Sequence, residues 1–135
     1  MMNDVVPNDV VARAHACIGV RFRPQGRVPA YGLDCVGLIA FAGRLPGEKV
    51  PARYAMRGGT ADDVAAQVNA AGLVRLDDMP GPGAVVLVEA GPRQFHLLIL
   101  MADGFVHADA GIGRIVAVPG IVPWPVIACW RYKGG

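Results

Sequence analysis

Apolar and polar positions follow two different rhythms along this chain, and the change falls near residue 72. Before it, apolar residues recur at helical spacing in three stretches. The first runs from about Asp9 to Ile18, with Asn8 as the expected cap and Gly19 as the stop. The second starts at Asp34 or Cys35 and ends near Gly43, ahead of Pro46 and Gly47. The third, "TADDVAAQVNAAG", opens on a capping-box-like pair, Thr60 and Asp63, and ends at Gly72. After Gly72 come short segments rich in β-branched and aromatic residues, divided by Gly, Pro and Asp. They are "LVRLD", "AVVLVEA", "FHLLILM", "FVHAD", "RIVAV" and "VIACWRY", and each reads as a strand. Helices first and strands afterwards predict an α+β fold with a mainly antiparallel sheet. Residues 44–60, rich in glycine and proline, read as an excursion within one domain spanning residues 1–135.

Composition narrows the classes. The chain is 53% hydrophobic and 18% charged over 135 residues, enough for a packed core without staples. No apolar stretch is long enough to span a bilayer, and "MMNDVVPNDVV" lacks the basic and apolar regions of a signal peptide. The expectation is synthesis in the cytoplasm, with some other device carrying the protein outward if it works there. Thirteen basic and eleven acidic residues leave a net charge of +2, too little for a nucleic-acid footprint. Arg21, Arg23 and Arg27 bracket a loop that reads either as solvated or as a patch for an anionic ligand. Cys17, Cys35 and Cys129 are widely spaced and odd in number, which implies neither a zinc site nor a disulfide framework.

A cysteine with histidines elsewhere in the chain is a pattern of nucleophilic catalysis. Cys35 stands where a helix begins, so the free N–H groups and the positive end of the dipole favour its thiolate. Asp34 can cap that helix, but its charge opposes the thiolate unless the carboxylate points away. A small buried core residue is the competing reading of Cys35. His96 and His107 lie on consecutive strands around the turn signal Asp103-Gly104. An even loop, such as Met101 to Gly104, pairs Leu100 with Phe105 and puts both imidazoles on one face as diagonal neighbours. An odd loop without a bulge separates them. On one face they supply a base and its orienter, and Asp109, two residues past His107, could share the orienting role. His15 reads as solvated, and Cys17 and Cys129 as small core residues. Trp124, between Pro123 and Pro125, reads as packing or as part of a groove.

These residues resemble the NlpC-type cell-wall peptidases, papain-like cysteine hydrolases. Their pattern is D-C-S-G, then H on a strand, then a polar residue, often H, on the next. Here it reads Asp34-Cys35-Val36-Gly37, His96 in "QFHLLIL" and His107 in "GFVHADAG". "PGPGAVVLV" holds the place of the family's P-G-D-L-V-F strand, and "VRFRPQGRVPAYGLDC" is similar to the small phage-type members. The resemblance implies helices packed on a central sheet of about five or six strands. It implies hydrolysis of peptidoglycan stem peptides, usually at the D-γ-glutamyl–diamino acid bond, with Cys35 as nucleophile, His96 as base and His107 as orienter. Backbone N–H groups near Cys35 would hold the oxyanion, with no metal or cofactor.

The chain departs from the pattern at several positions. Phe22 stands where the family commonly has a tyrosine whose hydroxyl helps bind substrate, and Tyr31 is a candidate replacement from the nearby loop. Val36 replaces a serine at the substrate's amine site, and Ala84 an aspartate. The expected partners are peptidoglycan stems and, for a phage or prophage tail enzyme, tail proteins. Two alternatives stay open: a catalytically weak or silent structural tail component, and a cysteine amidase or acyltransferase on the same fold.

Overall fold

A computed structural model describes residues 6–50, 59–78 and 80–133. Helix α1 spans Pro7–Ala16. Its cap is Val6, not Asn8, because Pro7 takes the first helical position, where its fixed φ suits the helix and its missing N–H costs nothing. The loop after Gly19 contains a two-residue ribbon, β1 (Arg27–Val28) with β2 (Gly32–Leu33), that the hydrophobic pattern did not announce. Helix α2, Cys35–Gly43, follows at once, capped by the Asp34 carboxylate on the Gly37 N–H. It stops at Arg44, which is in the left-handed conformation. A 3₁₀ turn at Gly47–Lys49 is what the structure describes of the excursion before residue 51, and residues 51–58 lie outside the described residues. Helix α3, Ala61–Ala70, carries the full capping box between Thr60 and Asp63.

Six strands then follow: β3 Val74–Leu76, β4 Val85–Gly91, β5 Gln94–Leu100, β6 Gly104–Asp109, β7 Arg114–Pro119 and β8 Val126–Arg131. They form one sheet in the order β3-β8-β4-β5-β6-β7, antiparallel throughout. The fold is α+β, as the change of rhythm predicted. Among the described residues, no helix is long and apolar enough to cross a membrane.

Both faces of the central strands are covered, which is why "AVVLVEA" and "FHLLILM" lack clean alternation. On one face Val85, Leu87, Leu97, Ile99 and Val106 pack against Leu38, Ile39 and Ala42 of α2 and Val10 and Ala14 of α1. On the other, Val86, Val88, Leu98 and Phe105 gather under Val122, Trp124 and Cys129. Cys129 is half-buried there, and Ile127 packs with the first cluster. A bulge in β8 falls beside them, where Leu87 pairs with Ala128 but Val88 pairs with Val126. Tyr132 closes the helical side, its hydroxyl donating to the Ile39 carbonyl.

Candidate active site

The start of α2 is held by its own cap. The Asp34 carboxylate accepts from the Gly37 N–H at 2.9 Å and the Gln25 N–H at 2.6 Å, and it pairs with Arg27 at 3.3 Å. These bonds tie the 21–33 loop to the helix and turn the carboxylate toward that loop. Gly37 and Gly26 lie so close that a Cβ on Gly37 would fall on the Gly26 carbonyl. The loop is tied on its other side to β7, through Phe22 N–H to the Gly113 carbonyl and Ile115 N–H to the Val20 carbonyl. Cys35 is thereby placed between the loop and β5, buried at 7% exposure.

The two histidines meet as the even-loop register requires. Ile99 pairs with Val106 and Leu100 with Phe105, and the Met101 N–H to Gly104 carbonyl bond closes the turn. Continued along the strands, this register sets His96 and His107 on one face as diagonal neighbours. Their ring nitrogens, His96 Nε2 and His107 Nδ1, are 2.7 Å apart. One of the two carries the shared proton, and the bond leaves His96 Nδ1 as the nitrogen free for proton transfer.

A cleft of about 640 Å³ brings these groups together. Its walls include Cys35, Asp34, His96, His107, Asp109, Phe22 and Trp124. Cys35 reaches it from the helical side, and the imidazoles reach it from the face shared with Trp124. Among the described residues, the Cys35 thiol makes no hydrogen bond to an imidazole. Asp109 is at the end of β6, where its Oδ1 accepts from the Ile112 N–H. Two residues named from the sequence stand elsewhere. Tyr31 is 68% exposed outside the cleft wall, so it does not bring a hydroxyl to the place of Phe22. Val36 faces an apolar cavity between α2 and α3, beside Val68 and Leu73.

Electrostatics correct one expectation. Burial, and then the Asp34 charge, push the Cys35 thiol up to about 12. The N–H groups of Leu97, Val36 and Cys35 itself pull the other way without prevailing. Standing at a helix start therefore does not favour the thiolate here, because burial and the Asp34 charge outweigh the N–H groups around the sulfur. His96 is lowered to about 4, by burial first and the neighbouring His107 second, with Asp109 opposing. His107 is lowered by burial, again against Asp109. At neutral pH the cleft thus holds a protonated thiol beside two neutral imidazoles.

Sequence reasoning left Trp124 undecided. Its ring lies 6.2 Å from His96 and 5.7 Å from His107, and 5.8 Å from Phe105. The flanking prolines were a signal of a fixed aromatic, but which groups it faced depended on the sheet's second face.

No protein-family model matches the chain, and no curated protein sequence does. Solved structures do match it in shape. NlpC1 from Trichomonas vaginalis superposes with a TM-score of 0.68 at 20% identity, covering 95% of this chain and 44% of that one. The chain thus spans less than half the length of that protein. The P60 domain of an M. avium subspecies paratuberculosis antigen gives 0.60 at 19% identity, with 93% of each chain covered. The NlpC/p60 domain of the peptidoglycan hydrolase SagA gives 0.54 at 19%, covering 85% of this chain and 90% of that one. The fold is that of NlpC/P60 domains.

Proposed function

We propose that this chain is a cysteine peptidase that cleaves stem peptides of bacterial peptidoglycan, with Cys35, His96 and His107 as its working groups. The observation that carries the reading is the cleft in which a buried cysteine at a helix start and a hydrogen-bonded histidine pair meet. The shared fold with a peptidoglycan hydrolase domain supports the substrate class.

The resting site is neutral, so attack and proton transfer proceed together. Cys35 Sγ forms a bond to the amide carbonyl carbon while its proton passes to His96 Nδ1. The charge developing on the carbonyl oxygen is met by N–H groups at the start of α2. Collapse breaks the C–N bond, and the proton on His96 goes to the leaving amine. Water then loses a proton to His96 and attacks the thioester carbonyl; the C–S bond breaks, and His96 returns that proton to Cys35 Sγ, leaving the acid and the free thiol. His107 holds the ring of His96 through Nδ1 and supports the imidazolium that forms in each step. The bond is expected to be the D-γ-glutamyl–diamino acid linkage, on the similarity of the Asp34-Cys35-Val36-Gly37 and "RFRPQG" stretches to the phage-type enzymes. The same similarity motivates delivery to the wall by a phage tail or a related injection device.

The test is incubation with purified peptidoglycan and mass spectrometry of the soluble fragments. Stem fragments cut after the γ-glutamyl residue, absent with C35A, are the expected result. Absence of release across wall types favours a second reading, a weak or silent structural component of a tail. The raised thiol and the absence of a thiol–imidazole hydrogen bond among the described residues motivate that reading.

A further inference from the structure

The histidine pair is boxed by two aromatic rings of different standing. Phe105 lies 5.4 Å from His107 and is 1% exposed, so it closes the pair from the core. Trp124 is half-buried and lines the cleft, near-perpendicular to His96 at 86° and tilted 62° to His107. It rests on Phe105 and the apolar cluster of Val86, Val88 and Leu98. Its backbone is constrained by prolines on both sides, and the Pro125 carbonyl accepts from the Glu89 N–H of β4 at 3.1 Å. The backbone under the indole is thus tied to β4, and the ring itself packs on the apolar face of the sheet.

We propose that Trp124 is a positioning residue that covers the His96–His107 hydrogen bond on its cleft side and keeps water from competing for it. A solvent-exposed imidazole pair would exchange its mutual bond for bonds to water and lose the tautomer that leaves His96 Nδ1 free. The indole carries one N–H donor and no acceptor, so unlike water it cannot take the proton shared by the pair. Burial also disfavours the charged rings, in accord with the lowered His96 and His107. The other titratable groups lining the cleft are Cys35 from α2, its cap Asp34, and Asp109 at the end of β6. Glu89 of β4 is turned to the Arg93 N–H instead. Substituting Trp124 changes none of these charges, so a shift in the imidazole titration reports water entry.

The experiment is NMR titration of the imidazoles in wild type, W124A and W124F. W124A is expected to raise both midpoints by about one unit or more toward the ordinary histidine value. W124F, which keeps a ring on the same packing, restores most of the wild-type titration. Midpoints unchanged in W124A, or shifted equally in W124A and W124F, overturn the proposal. Should W124A not fold, wild type decides: the Trp124 ring protons must shift through the imidazole midpoints, and a pH-silent ring overturns it. A kinetic arm rests on the proposed function, with the acid limb of peptidoglycan release moving up in pH in W124A. Inactive wild-type protein defeats the proposed function, while the imidazole titration still judges the role of Trp124.

Discussion

Asp34 serves stability and reactivity with opposite signs. Its carboxylate caps α2, anchors the Gln25 N–H and pairs with Arg27, yet the same charge holds the Cys35 proton on. D34N keeps an oxygen for the Gly37 N–H and loses the charge. It is expected to cost about 1–2 kcal/mol of stability, read by urea unfolding. At the same time it should lower the thiol pKa, so Cys35 alkylation at fixed pH, followed by mass spectrometry, becomes faster. An alkylation rate equal to or below that of wild type would contradict the electrostatic argument. Wild-type Cys35 should itself show labelling that keeps climbing through the alkaline range, with no plateau near neutrality. His107 acts at one remove. H107A leaves His96 Nε2 without its partner and should reduce kcat by about 10²-fold or more, with a smaller change in KM. A loss confined to KM would place His107 in substrate binding instead.

At the scale of elements, the site depends on how the 21–33 loop is clamped between β7 and α2. Arg21 bridges to Arg114 of β7, Phe22 bridges to Leu33 within the loop itself, and Gly26 lies tight against Gly37 of α2. G37A is the sharp probe, because its methyl group meets a backbone carbonyl that cannot rotate away. The expected cost is about 1–3 kcal/mol, seen as a fall in Tm, together with reduced peptidoglycan release because Cys35 is set by the same contact. An unaltered Tm would mean that the loop yields freely. The three helices and six strands were legible in the residue pattern because each pairs a periodicity with its own stop signal. The capping box at Thr60 and Asp63 was legible in full. The β1–β2 ribbon was not, since two-residue strands carry no period, and the start of α1 was read two residues late, with Asn8 as the cap in place of Val6.

Across the whole molecule, the buried titratable groups set a window of stability. His96 binds its proton near 4 in the fold and near the ordinary 6.5 when unfolded. Between these values the unfolded chain holds more protons, so stability falls as pH drops from about 6.5 toward 4. His107, also lowered, adds to the same slope. On the alkaline side, Cys35 and Cys17 keep their protons in the fold to about 12 and 11, against 9.0 when exposed. The folded chain then holds more protons, so stability declines as pH rises above about 9. Thermal unfolding followed from pH 4 to 10.5 should give a maximum Tm between about 6.5 and 9. In H96Q the acid slope should flatten, and an acid slope unchanged in H96Q would remove His96 from the account.

Sequence alone determined the order of elements, the α+β class and a helix start at Asp34 or Cys35. It offered the even turn that pairs His96 with His107, which the strand register then selected over an odd one. All of these depend on short-range rules: capping, turn chemistry and the two-residue period of a strand. Tertiary structure decided what distant segments do to one another. It buried Cys35 deeply enough for desolvation to outweigh the N–H groups around the sulfur, a balance that local sequence cannot express. It turned Tyr31 to solvent and Val36 toward α3, although both neighbour the cysteine in the chain. It also brought Trp124, seventeen residues beyond His107, against both imidazoles, because the second face of the sheet needed an apolar cover and the Pro-Trp-Pro segment passes over it.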